Sequence, residues 1–415
     1  MSFKRVVVTG LGALTPIGNT LSEYWNGLLT GVSGANPITH FDADKFKTRF
    51  ACEVKNFNIL NYIENKEAHK MDPCSHYALV ASMEAMKDSG IDLQKINLER
   101  AGIILGTGVG GLTTTTNTLF EFIEGGRIPK FSPYFIPKVL ADIMPGWISI
   151  YFGFKGPNYT TTSACASSAN AIADAYYYIK MGKADVIISG GSEACIAEPV
   201  VAGFNAMHAL STRNDECQKA SRPFDVKRDG FVIGEGAGIL ILEEYEHAKA
   251  RGAKIYAEIG GIGLTADAFH ITLPEPEGTG AANSMKLAIE EANLKLTDID
   301  HINTHGTSTP AGDLAECKAI KLLFEEHTAN IPINSIKSMT GHLLGAAAAV
   351  EGIATILSIK EGIIPPTINL DEKDPLIPDL NFVIKKPLQK VIQAAISNSF
   401  GFGGHNVSIL YKKVD

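Results

Sequence analysis

The chain has 415 residues, 45% hydrophobic and 20% charged, the balance of a soluble globular protein with chain enough for two or three domain-sized units and large buried sheets. A formal net charge of −8 gives no general attraction for nucleic acid or anionic membrane, which excludes both as partners and requires a local basic patch for any acidic protein partner. The six cysteines (Cys52, Cys74, Cys165, Cys195, Cys217 and Cys317) form no Cys-x-x-Cys pair, which argues against a disulfide framework or structural zinc and for a reducing cytoplasm.

The first residues lead directly into a strand-like Val6-Val-Val-Thr9, without the basic, apolar and small-residue regions of a signal peptide. Strand-like and helix-like runs then alternate, which predicts an α/β architecture with parallel-rich sheets covered by helices. Strands are expected at 5–9, 101–105, 159–163, 184–189 and 237–243 in a first part. In a second part they are expected at 255–259, 300–304, 331–336, 393–397 and 406–411. The polar, basic segment 244–254 is the expected boundary, dividing the chain into units 1–250 and 251–415. Val6-Val-Val-Thr-Gly-Leu-Gly-Ala-Leu-Thr15 is echoed by Tyr256-Ala-Glu-Ile-Gly-Gly-Ile-Gly-Leu-Thr265, each read as a strand entering a glycine-rich turn. The echo suggests an internal duplication. Residues 41–74 and 113–145 are expected as inserted, partly helical surface structure. The longest apolar stretch, 343–359, is shorter than a membrane span and contains Glu351, so it reads as a buried core helix.

Cys165 stands at an expected strand-to-helix junction. Residues 157–164 are rich in β-branched and aromatic side chains, whereas Ala166, Ala169, Ile172, Ala173, Tyr176 and Ile179 recur at helical spacing up to Gly182. That position sets the sulfur at the positive end of a helix dipole, facing unpaired backbone N–H groups. Such a setting lowers a thiol pKa toward neutrality and supplies a nucleophile. The bland alternative is a small buried hydrophobe.

Three further strand ends carry chemistry: His301-Ile-Asn-Thr-His305, then Ile333-Asn-Ser-Ile-Lys337 leading to His342, and Ala394-Ala-Ile-Ser-Asn398 leading to a glycine loop ending at His405. Ligands gather outside the carboxyl ends of strands in α/β sheets, so one thiol, two histidines, a lysine and a glycine loop share corresponding places. A thiolate takes an acyl group, while neutral imidazoles hydrogen-bond a developing enolate or oxyanion. The backbone of 401–404 can present an N–H opposite that of Cys165, and Lys337, if buried near a histidine, favours the neutral imidazole by like-charge repulsion. Gly106-Thr-Gly-Val-Gly-Gly111 matches the dinucleotide pattern, but no acid follows about 20 residues on and Leu112-Thr-Thr-Thr-Thr-Asn117 is a poor helix opening. A metal site at Cys165 lacks local ligand spacing.

Ser163-Ala-Cys165, His305-Gly-Thr-Ser-Thr-Pro310, Lys337-Ser-Met-Thr-Gly-His342 and Asn398-Ser-Phe-Gly-Phe-Gly-Gly404 closely resemble motifs of the β-ketoacyl-[acyl-carrier-protein] synthases, most closely the synthase II type. The resemblance extends from about Arg5 to Lys412, through Ser221-Arg-Pro-Phe-Asp225 and Glu243-Glu-Tyr-Glu-His-Ala248. It implies an α/β, thiolase-like five-layer αβαβα fold of two similar halves, a homodimer, and decarboxylative Claisen condensation in bacterial fatty acid elongation. It implies Cys165 as acyl acceptor, His305 and His342 as enolate stabilisers, and Lys337 as their electrostatic supporter. The oxyanion would lie on the N–H groups of Cys165 and Phe402. Thr307 and Thr309 would bind the phosphopantetheine arm, Val109 and Phe204 would line the acyl pocket, and Phe402 would gate it. Lys66, Lys70, Arg127 and Lys130 would dock acyl carrier protein. No cofactor or catalytic metal is implied.

Three departures stand out: His69 and His208 where an arginine is common, His405 where some members have threonine, and Met144-Pro-Gly-Trp147 near the acyl pocket. Three other readings share the pattern in part. A polyketide or aryl-polyene ketosynthase would keep every catalytic residue. A non-catalytic partner subunit like the chain-length factors would lack Cys165. A thiolase would need a second catalytic cysteine near the C-terminus, and the last here is Cys317.

Overall fold

Runs of β-branched and aliphatic residues form the frame of the computed structural model, which describes residues 3–414. In the first half these are β1 (Val6–Leu14), β2 (Ala101–Gly106), β3 (Asn158–Thr161), β4 (Val186–Glu193) and β5 (Gly236–Glu244). In the second they are β6 (Ala257–Ala266), β7 (His301–Asn303), β8 (Pro332–Asn334), β9 (Ala394–Gly401) and β10 (His405–Lys412). The principal helices are α1 (Pro73–Ser89), α2 (Leu112–Glu124), α3 (Ile143–Phe152), α4 (Ser167–Lys180), α5 (Thr279–Glu291), α6 (Pro310–Phe324) and α7 (Ala347–Glu361).

Strand order runs β3-β2-β4-β5-β1 and continues through the β1–β6 pair into β6-β10-β9-β7-β8, with Asn381–Phe382 on the far edge. Counted along the chain, each half has the order third, second, fourth, fifth, first. In each half the fifth strand is antiparallel to both of its neighbours and the other pairings are parallel. Residues alternate between faces with period two. Ile104 therefore packs with α4 and α7, while Ile103 and Leu105 pack with α1 and α3. In the second half Ile409 faces α4 and α7, and Leu410 faces α5 and α6. The result is five layers: α1/α3, a sheet, α4/α7, a sheet, α5/α6. The expected core helix is α7, buried from Ala347 to Ile359.

The glycines of the repeated segment do not make turns. Both strands continue through them, with a bulge in each, to Leu14 and to Ala266. A Cβ at Gly10 or Gly12 would collide with the carbonyls of Ala85 and Ala81 in α1; at Gly261 or Gly263 it would collide with those of Ala288 and Ser284 in α5. The glycines let a helix lie directly on strand backbone, once in each half.

Two other expectations need correction. The threonine-rich run does open a helix, α2, because tertiary partners outweigh propensity. Thr113 Oγ1 donates to Ala194 O, Thr114 donates through N and Oγ1 to Asp72 Oδ2, and Thr115 Oγ1 donates to Gly111 O. The 41–74 segment is not all surface: Phe50, Ala51 and Cys52 are buried, and Cys52 bridges to Gly234. Both ends of the described chain meet at Glu258, which pairs with Arg5 at 2.5 Å and Lys412 at 3.7 Å. Among the described residues no helix is long and apolar enough to cross a membrane.

Candidate active site

Cys165 lies two residues before α4, as the sequence predicts. Ala164 is held in the left-handed region at φ 52°, a strained state for a residue with a Cβ, costing roughly 1–3 kcal/mol. Short bonds hold that elbow. Ser167 Oγ donates to Ala164 O at 2.6 Å, Ser163 N donates to Ser167 Oγ at 2.9 Å, and Asn170 Nδ2 donates to Ser163 Oγ at 2.6 Å. From the second half, Ser399 Oγ donates to Cys165 O at 2.9 Å. Gly401 lies so close that a Cβ there would sit 3.2 Å from the N atom of Cys165. The N–H of Phe402 points at the sulfur.

Cys165 opens onto a cavity of about 510 Å³, within the range of small-molecule sites. His305, His342, Thr307, Thr309, Val109, Phe204 and Phe402 share its lining. The imidazoles of His305 and His342 meet edge to face at 5.3 Å, and Phe231 stands edge-on to His342 at 5.4 Å. Among the described residues neither ring nitrogen of His342 has a hydrogen-bond partner. Thr307 and Thr309 share a hydroxyl–hydroxyl bond of 2.9 Å, and Phe204 packs against Phe231 at 5.2 Å.

Lys337 is fully buried, ion-paired with Glu351, and 3.5 Å from His305 Nδ1. An ammonium only donates, so Nδ1 accepts and the neutral ring carries its proton on Nε2. Burial, then the charge of Lys337, holds His305 and His342 well below the usual imidazole range. The expected neutral imidazoles are therefore present. The expected low thiol pKa is not. Burial pushes Cys165 up to about 12, against the pull of Lys337 and the Phe402 N–H. A helix dipole contributes only fractions of a kcal/mol to about 2, too little to offset the desolvation of a thiolate here.

Two acids that sequence reasoning missed tie the walls together. Glu316 accepts from His305 N at 2.8 Å and Gly306 N at 2.7 Å. Glu193 accepts from Gly108 N at 2.7 Å and Val109 N at 3.3 Å. Burial raises both carboxyls to about 7. The available signal was a charged residue ending an apolar strand (Glu193) or set on a buried helix face (Glu316). Glu193 also fills the N–H groups of the glycine loop that mimicked a dinucleotide site. Met207, Leu273 and Pro274 complete the cavity mouth without having been anticipated, beside the exposed His208.

The expected docking cations lie on the surface, outside the cavity. Lys66 pairs with Glu64 at 2.9 Å and Lys70 with Glu67 at 2.8 Å, with Lys70 5.7 Å from the Tyr134 ring. Arg127 and Lys130 are exposed, as is His69. Met144 and Pro145 are buried in the first turn of α3, and His405 packs its ring against Gly403. Among the described residues no group of three or more His, Cys, Asp or Glu is placed to hold a metal.

The repeated strand order and the five layers define the thiolase-like class of fold. Residues 3–248 match the Beta-ketoacyl synthase, N-terminal domain, and residues 256–371 the Beta-ketoacyl synthase, C-terminal domain. The chain belongs to the beta-ketoacyl synthase family. It is 48% identical over 410 residues to the 3-oxoacyl-[acyl-carrier-protein] synthase 2 of Synechocystis sp., covering 99% of this chain and 98% of that one. Identity to the protein of the same name from Vibrio harveyi is 47% over 415 residues, covering 100% of each. A beta-ketoacyl synthase from Burkholderia phymatum superposes with a TM-score of 0.91 at 37% identity, covering 99% of this chain and 100% of that one. The ishigamide ketosynthase/chain length factor superposes at 0.94 with 34% identity over 100% of both chains.

Proposed function

We propose the following reaction course for this synthase, an acyltransferase that joins a malonyl unit to an acyl chain with loss of carbon dioxide in fatty acid elongation. The observation that carries it is the convergence of the Cys165 thiol, two neutral imidazoles and the Phe402 N–H on one cavity. An acyl thioester enters, its carbonyl oxygen settles on the N–H groups of Cys165 and Phe402, and the Cys165 sulfur attacks the carbon. The acyl–sulfur bond to the phosphopantetheine arm breaks, and the departing thiolate takes the proton that Cys165 gives up. Because the resting thiol is neutral, this proton moves only with substrate in place.

A malonyl thioester then binds with its carbonyl oxygen on the Nε2–H of His305 and a ring N–H of His342. Carbon–carbon cleavage releases carbon dioxide, and both imidazoles hold the enolate oxygen. The enolate carbon attacks the acyl group on Cys165, the carbon–sulfur bond breaks, and the sulfur leaves as thiolate to be reprotonated by water. Lys337, ion-paired with Glu351, keeps the rings uncharged by like-charge repulsion. Thr307 and Thr309 hold the phosphopantetheine arm, Val109 and Phe204 contact the acyl chain, and Phe402 guards its entrance.

The division into 1–250, carrying the thiol, and 251–415, carrying both histidines, fits this division of labour. Carrier protein docks on Lys66, Lys70, Arg127 and Lys130. A homodimer forms at β3, whose outer edge is unpaired among the described residues and whose covering helix α3 exposes Ile150 and Tyr151. Six free cysteines support a cytoplasmic location. A polyketide ketosynthase is the second reading. A solved ketosynthase whose name gives it as type II PKS is 32% identical, against 46–48% for the synthase 2 relatives.

The test is elongation by purified protein with malonyl- and graded acyl-carrier proteins, read by intact mass. Two-carbon-longer β-keto products and an acyl mass on Cys165 are expected. Loading only of polyene or aryl starters would move the chain to the second reading, and no loading at all would overturn the condensing role.

A further inference from the structure

Glu193 is wholly buried at the end of β4 and stands between two cavity walls. Its Oε1 accepts from Thr107 Oγ1 at 3.0 Å and Val109 N at 3.3 Å; its Oε2 accepts from Gly108 N at 2.7 Å and Gly345 N at 2.9 Å. Three donors belong to the loop after β2, whose Gly108 and Val109 line the cavity beside Cys165. The fourth belongs to the turn three residues beyond His342. The walls touch here: a Cβ on Gly345 would collide with Gly108 N and lie 2.6 Å from Glu193 Oε2, and one on Gly108 would lie 2.8 Å from the same oxygen.

No cation is among these contacts. Burial raises the carboxyl to about 7, while the four donors favour the ionised form. A proton on either oxygen would displace a donor that oxygen already receives, and a glutamine amide would do the same. The clamp is therefore complete only as a carboxylate. His305 is held separately, by Glu316.

We infer that Glu193 is a positioning residue that fixes Val109, and with it the acyl chain, relative to Cys165 and the His342 turn, so that it governs which chain lengths the thiol accepts. The inference rests on the condensing reading given above. Long chains must pass the Val109 wall and depend on its position; short chains and the malonyl unit do not.

The experiment compares wild type, Glu193→Gln and Thr107→Val in transfer of acyl groups from short- and long-chain acyl-carrier proteins to Cys165, by intact mass. Each is also assayed for malonyl-carrier protein decarboxylation. Glu193→Gln should lower the long-to-short loading ratio by about tenfold or more, the scale of a lost hydrogen bond to a buried charge. The KM for malonyl thioester should change less than the long-chain loading, since only one of the four bonds, that from Gly345 N, lies on the His342 side. Thr107→Val, which keeps the carboxylate and removes one donor, should shift the ratio in the same direction by less. It decides the matter if Glu193→Gln does not fold. Lowering the pH below about 7 should move the wild-type ratio toward that of Glu193→Gln, whose own ratio should stay flat. Equal losses at every chain length, or an unchanged ratio in Thr107→Val, would mean a structural role only and overturn the inference. If wild type itself loads no acyl chain, the condensing reading has failed instead.

Discussion

Glu193 in the first half and Glu316 in the second act alike on loops of different content. Each loop follows the second strand of its half, and each gives two consecutive backbone N–H groups to one buried carboxylate. Burial lifts both acids to about 7. The first comes from the end of a strand and holds Val109; the second comes from α6 and holds His305. The glycine pairs under α1 and α5 repeat in the same way. The two halves share the scaffold and each has a clamp built from a different element, while the loop residue that the clamp holds differs. One half offers a thiol and an apolar wall, the other two imidazoles.

The sharpest break is to disable the halves one at a time. Cys165→Ala should lower acyl loading and condensation by about 10³-fold or more, and leave release of carbon dioxide from malonyl thioester measurable. His305→Ala with His342→Ala should do the reverse, stopping carbon dioxide release while intact mass still shows acyl-Cys165. Loss of both activities in both variants would mean that the division is not between halves.

Next is Lys337→Met. Removing the like charge lets the pKa of His305 and His342 rise, so the acid limb of the decarboxylation rate should move to higher pH. The rate near neutrality should fall about 10–100-fold as the imidazole tautomer loses its partner. A pH–rate profile unchanged in shape would refute the electrostatic role.

The glycine pairs predict a smaller, matched effect. Gly12→Ala and Gly263→Ala each force a helix off its strand and should cost about 1–3 kcal/mol in denaturant unfolding. A tolerated change in one half only would show that the repeat has relaxed there.

The smallest contrast is in pH dependence. His40, beside Glu235 at 2.9 Å and Glu53 at 3.8 Å, has its pKa raised, first by its hydrogen bond to Glu235, from the usual 6.5. Its stabilisation is complete below 6.5 and fades as pH rises through the raised value. His301, buried and bonded to Asn334, is lowered to about 4, so its contribution is complete above 6.5 and fades as pH falls toward 4. The Tm deficit of His40→Gln should therefore be larger at pH 6 than at pH 8. For His301→Asn the deficit should shrink from pH 7 to pH 5. The same trend in both would contradict the opposite signs.

Much of the site was legible because strand ends announce themselves: Cys165, His305, Lys337 and the loop at Phe402 follow β-rich runs and precede helices or glycines. What escaped the sequence was set by distant partners. The helix at Leu112 depends on Asp72 and Ala194, which no local propensity encodes. Gly10 and Gly12 look like turn residues until a helix is laid over them. The pKa of Cys165 follows from burial by elements up to the other end of the chain. Glu193 and Glu316 carry no motif, since their chemistry lies in the backbone groups they collect.

The meeting of Arg5 and Lys412 on Glu258 has a consequence for chain order. Val6 and Lys412 flank β6, opposite Ile259 and Glu258, so the ends stand about two strand spacings, roughly 10 Å, apart. A linker of a few residues would close the molecule into a ring. Reopening that ring in the segment 245–254 would yield a polypeptide synthesised histidine half first and thiol half second. The architecture is cyclic in space, and the direction in which a ribosome traverses it is a historical choice.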